Sequence, residues 1–87
     1  MYKDIYSEEL VKKLVKLKKK NPPVYTIIRR RIDFILKNPS HRYKDLHFNM
    51  KGIKRIHIGP FVLVFIIDHE KKEISFEDFD HHDKIYL

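Results

Sequence analysis

Eighty-seven residues with a net charge of +7 make one domain around a single modest core. Cysteine is absent, which excludes disulfides and thiolate metal sites and fits a reducing interior. No apolar run reaches the ~20 residues needed to span a bilayer; the longest, Phe61 to Ile67, is strand-sized, and Met1 to Ile5 lacks a signal-peptide core. A cytoplasmic protein is expected. The charge is uneven: residues 1–67 carry 16 Lys/Arg against 5 Asp/Glu, and residues 68–87 carry 3 against 7. So basic a domain favours polyanionic partners, either nucleic acid or an acidic protein segment.

Tyr2 to Tyr6 alternates weakly and predicts a short first strand. Ser7 is a good helix N-cap, and Glu8 and Glu9 suit the first turn. Leu10, Val11, Leu14 and Leu17 form an apolar stripe, and Lys16, Lys18, Lys19 and Lys20 crowd the last turn, where cations are favoured. Asn21-Pro22-Pro23 ends this helix and opens the next, expected from about Pro23 to Lys37. The second stripe is Val24, Ile27, Ile28, Ile32, Ile35 and Leu36. Asn38-Pro39-Ser40 stops it, giving a helical hairpin.

Residues 39–52 read as a polar connector anchored by Leu46, Phe48 and Met50. Three apolar runs then follow as a meander, with turns at Gly59-Pro60 and at 69–72. In the first run, Ile53, Arg55 and His57 share one face, and Lys54, Ile56 and Ile58 the other. Phe61–Ile67 is apolar on both faces, the mark of a central covered strand. The run from Glu73 to Asp78 alternates acid or serine with apolar residues and reads as an edge. The order is therefore β-α-α-β-β-β over 1–87: an α+β, two-layer domain with the hairpin packed on a small, mainly antiparallel sheet.

Arg and His on an exposed strand face, with His81-His82 and Tyr86 near the end of the chain, gather the groups a phosphodiester substrate needs. A guanidinium offers a two-pronged donor for phosphoryl oxygens, and histidine exchanges protons near neutral pH. Tyr86 can also stack on an unstacked base. On periodicity alone, Arg55 and His57 read first as ordinary exposed-strand residues, and the bland reading of His81 and His82 is a surface tail. Asp80, His81, His82 and Asp83 offer metal-ligand types but lack the spacing of a metal site. No metal and no cofactor are expected.

The chain resembles the RelE/ParE superfamily of type II toxin–antitoxin toxins, on its RelE-like branch. The resemblance is carried by the proline-broken hairpin, Ile35-Leu36-Lys37-Asn38-Pro39 and Lys44-Asp45-Leu46. It continues through Gly52-Ile53-Lys54-Arg55-Ile56-His57-Ile58-Gly59-Pro60-Phe61, similar to the family's G-x-x-R-x-R-x-G-x-Y, then Val64 to Asp68 and His81-His82-x-x-x-Tyr86. It implies a ribosome-dependent, metal-independent mRNA endonuclease in which the 2′-hydroxyl attacks the adjacent phosphate. It also implies neutralisation by an acidic, RelB-like antitoxin that wraps the toxin, with a heterotetramer as one assembly. Arg55 and His57 match the basic strand positions, His81 or His82 the C-terminal basic position, and Tyr86 the terminal tyrosine. Val62 stands where many active relatives carry arginine, and Phe61 where tyrosine is common. The cations that would contact RNA phosphates on the ribosome are Lys18, Lys19, Lys20, Arg29, Arg30, Lys44, Lys51 and Lys54. The alternative is a ParE-like toxin on the same fold that binds DNA gyrase without nuclease chemistry: Val62 points towards it, and Arg55, His57, His81, His82 and Tyr86 point against it. A plain nucleic-acid-binding module is the third reading. His41, His47 and His69 read as surface residues.

Overall fold

The computed structural model describes residues 1–47 and 52–86. In chain order the elements are β1 (Lys3–Tyr6), α1 (Glu8–Lys20), α2 (Pro22–Lys37), β2 (Lys44–Asp45), β3 (Ile53–Ile58), β4 (Phe61–Asp68), β5 (Glu73–His81) and α3 (His82–Ile85). The strands form one sheet in the order β1-β5-β4-β3-β2. Only the β1–β5 pair is parallel.

Local chemistry sets the helix ends. The Ser7 hydroxyl accepts from Leu10 N at 3.1 Å, capping α1. The same hydroxyl donates to Glu77 O at 2.6 Å, which ties the helix start to β5. Asn21 closes α1 through its backbone N–H to Leu17 O and caps α2 through its side chain. Prolines at the first two positions of α2 cost no hydrogen bond, because those N–H groups have no partner inside a helix.

The hairpin covers one face of the sheet. Leu10 and Leu14 of α1 and Ile28, Ile32, Ile35 and Leu36 of α2 pack with Ile58, Leu63, Phe65, Ile74, Phe76 and Phe79. Phe65 and Phe76 are fully buried, so truncating either to alanine costs roughly 3–5 kcal/mol. Two stripe residues fall outside this core: Val11 and Ile27 are about half exposed, since a helix on a small sheet buries a narrower arc than the stripe spans. Gly59 takes a φ of 60° ahead of Pro60, the sign pattern of a tight hairpin turn between β3 and β4.

Three features depart from the expected outline. The connector contains β2, which pairs Lys44 with Arg55 and Asp45 with Lys54. The third meander strand is not an edge, because β1 adds to its outer side and places Ile5 opposite Ser75. Its alternation also breaks: Phe65 pairs with Phe76 but Val64 with Asp78, so a bulge at Glu77 carries Phe79 back into the core. Phe48 and Met50, expected as connector anchors, lie outside the described residues.

Candidate active site

The register of β3 builds the site. Arg55 faces Val64 and His57 faces Val62, whereas Ile56 and Ile58 face the core residues Leu63 and Phe61. Alternation thus turns Arg55 and His57 to the face away from the helical hairpin. At the end of β5 the chain turns into α3, pinned by the bond from His82 N to Pro60 O at 2.8 Å. The short helix packs against β4 and β5 and returns Tyr86 to Arg55 and His57.

Four side chains from β3 and from the segment after β5, the two neighbours of β4, converge there. The His82 and Tyr86 rings are 4.6 Å apart, and His57 lies 5.9 Å from His82 and 6.5 Å from Tyr86 in stacked arrangements. The Arg55 guanidinium carbon sits 6.0 Å from the Tyr86 ring centre. A fifth residue, His47, meets the edge of Tyr86 at 5.5 Å. It precedes β3 in an irregular stretch, so neither periodicity nor spacing marked it; only the fold brings it in.

Arg55 is held by its Nε, which donates to Asp45 O at 2.9 Å. Its Nη1 contacts His57 Nε2. A guanidinium only donates, so His57 Nε2 must accept and the imidazole is neutral, protonated at Nδ1. Desolvation first, then the charges of Arg55, His82 and Lys44, pushes the His57 pKa below its ordinary value, which favours the neutral ring. The Tyr86 hydroxyl is sealed from solvent with no hydrogen-bond partner among the described residues. An unpaired buried hydroxyl is costly, and this one meets a substrate oxygen only when the Tyr86 side chain shifts outward.

The remaining candidates lie elsewhere or have other tasks. His81 is not in the cluster: its Nδ1 accepts from Asp83 N at 3.3 Å as the cap of α3, and its ring meets Phe61 edge-on. Lys54 points with the core side of β3 and pairs with Asp45 at 2.7 Å. Lys44 is exposed beside Arg55. Arg29 donates to Tyr6 Oη at 3.3 Å and Lys18 lies over the Tyr25 ring, both near the β1 edge, far across the sheet from β3. Lys19, Lys20 and Arg30 are exposed on the hairpin, which covers the opposite face. Lys51 lies outside the described residues. Val62 is fully buried opposite His57, so its side chain packs as apolar floor. The carboxylates of Asp78 and Asp80 are both held by Lys13, at 2.7 and 2.9 Å, which offsets one of the two charges that would repel a phosphate. No group of three metal-ligating side chains occurs among the described residues, and none of their helices is long and apolar enough to cross a membrane.

A helical hairpin on a five-stranded mixed sheet, with a cationic, histidine-lined face, defines the class: a small basic domain of the RelE-like fold. A Methanocaldococcus jannaschii protein named "Putative toxin RelE4" is 41% identical over 87 residues, spanning 99% of this chain and 92% of that one. An uncharacterized protein of Methanosarcina mazei is 53% identical over 79 residues, covering 90% and 91% of the two chains. Among solved structures, the toxin–antitoxin complex RelBE2 from Mycobacterium tuberculosis superposes with a TM-score of 0.72 at 20% identity, covering 93% of this chain and 98% of that one. No family model matches. The chain belongs to the RelE toxin superfamily of type II toxin–antitoxin systems.

Proposed function

We propose that this toxin is a metal-independent endoribonuclease that cuts mRNA on the ribosome in the cytoplasm, and that an acidic antitoxin segment neutralises it. One observation carries the reading: a fixed guanidinium, a neutral imidazole, a second histidine and an unpaired phenol converge on one open face. The complex formed by the Mycobacterium tuberculosis relative supports the antitoxin partner.

The chemistry follows from these groups. A scissile phosphate draws Arg55 Nη1 from His57 onto a phosphoryl oxygen, since a guanidinium binds an anion more strongly than a neutral ring nitrogen. That frees the His57 Nε2 lone pair to take the proton of the 2′-hydroxyl. The 2′-oxygen attacks phosphorus, the bond to the 5′-oxygen breaks, and His82 or the Tyr86 hydroxyl protonates the leaving oxygen. The products are a 2′,3′-cyclic phosphate and a 5′-hydroxyl. Arg55 offsets the charge that grows on the phosphoryl oxygens. His47 packs on Tyr86 and orients the phenol.

Purified protein added to programmed ribosomes tests the reading. New mRNA ends bearing 2′,3′-cyclic phosphate are expected. Intact mRNA together with inhibited gyrase supercoiling would move the protein to the ParE-like mode, which the apolar Val62 floor accommodates.

A further inference from the structure

β2 is only two residues long, so it covers β3 at Lys54 and Arg55 and leaves residues 56–58 at an open sheet edge. Beside that edge lies a cavity of about 470 Å³ running from His57 to the outer side of α2. Its lining includes Arg31, Arg42, Lys44 and Arg55, and no acidic residue. Arg31, Arg42 and Lys44 make no ion pair among the described residues, so three charges stand available to an anion. At its far end sits Phe34, 44% exposed on α2. Among the exposed large apolar side chains of the described residues, Phe34 is the aromatic one, and it stands beside unpaired cations.

Phe34 is also rigidly supported. Its ring meets His41 edge-on at 5.9 Å, His41 lies 4.8 Å from Tyr43, and Tyr43 meets the buried Phe65 at 5.1 Å. This ladder ties a solvent-facing ring to the core. A fixed aromatic face flanked by unpaired cations is the combination that holds single-stranded nucleic acid: cations follow the phosphates and the ring takes a base.

We propose that this groove binds the single-stranded RNA nucleotide flanking the reacting phosphate, with its base stacked on Phe34 beside His41 and its phosphate held by Arg31, Arg42 and Lys44. The proposal rests on the RNA-cleaving reading for the identity of the strand, and it adds a recognition site that the reacting groups do not contain. Because Arg55 lines both places, one RNA strand passes continuously from the groove to His57.

The test is an NMR titration of the full chain at low salt with two uncleavable 2′-O-methyl RNAs, a dinucleotide and a tetranucleotide. The dinucleotide perturbs His57, His82 and Tyr86 only; the tetranucleotide also perturbs Phe34 and His41. Phe34→Ala weakens the tetranucleotide roughly five- to hundredfold and leaves the dinucleotide unchanged. Phe34→Tyr retains binding, and Arg31→Gln weakens the longer RNA without removing the ring. Unmoved Phe34 and His41 signals, equal losses on both RNAs, or perturbation by a glutamate-rich peptide but not by RNA would each overturn the proposal. Silence at His57 with movement at Phe34 would instead keep the groove and remove the nuclease reading.

Discussion

Replacing Arg55 with alanine tests the electrostatic core of the site. The substitution removes three things: the donor to Asp45 O, the contact with His57, and the charge near Tyr86. The first is one hydrogen bond, worth about 1 kcal/mol of stability. For a domain of this size that lowers Tm by roughly 4–8 °C, a shift that a thermal melt of the variant separates from a loss of rate. The third is the fixed donor aimed at developing negative charge. Loss of one such donor costs about a hundred- to thousandfold in rate, or about 2.7–4 kcal/mol. Single-turnover cleavage of ribosome-bound mRNA should fall by that factor. The His57 pKa, held down in part by the Arg55 charge, should rise in the variant when followed by proton NMR. Arg55→Lys keeps the charge but not the fork, and should recover only part of the rate. A loss under fivefold, or a His57 titration indifferent to Arg55, would refute the assignment.

The neutral His57 also sets pH behaviour. Its folded pKa lies below the unfolded value near ~6.5, so the folded state binds the proton less readily. Stability is then lost as pH falls from the unfolded value through the folded one, and His57→Gln should flatten that part of a denaturation series. Cleavage should show an acid limb at a pH below ~6.5, and Lys44→Met, by removing a cation, should move it upward. His82→Ala should cost far more activity than His81→Ala, because His82 sits with Tyr86 while His81 caps α3; single-turnover rates of the two variants check this. Ser7→Ala removes the α1 cap and its bond to β5, and should lower unfolding free energy by about 1–2 kcal/mol in urea without changing the pH profile of cleavage.

Sequence periodicity reached most of the fold because the hairpin and β3–β4 bury regular stripes. It missed what pairing alone creates. Lys44–Asp45 is too short to show alternation, and it is a strand only because β3 lies beside it. β5 looked like an edge because its acids alternate with apolar residues, yet those acids flank a bulge and an added parallel strand. At the site, the alternation of Arg55 and His57 was plain in the residues, whereas the nearness of Tyr86 depends on a one-turn helix pinned to Pro60. His81 and His82 are adjacent in sequence, and only the geometry of α3 separates a capping role from a place beside His57. Lys18 and Arg29 illustrate the converse: a charge cluster marks a surface but not which face, and these two sit near the β1 edge.

The most direct measurement places a single 2′-deoxynucleotide at the position that is cut in a ribosome-bound mRNA. With no 2′-hydroxyl to attack, cleavage at that position should vanish while neighbouring all-ribose messages are still cut. Continued cleavage at the deoxy position would contradict the proposed roles of Arg55, His57, His82 and Tyr86.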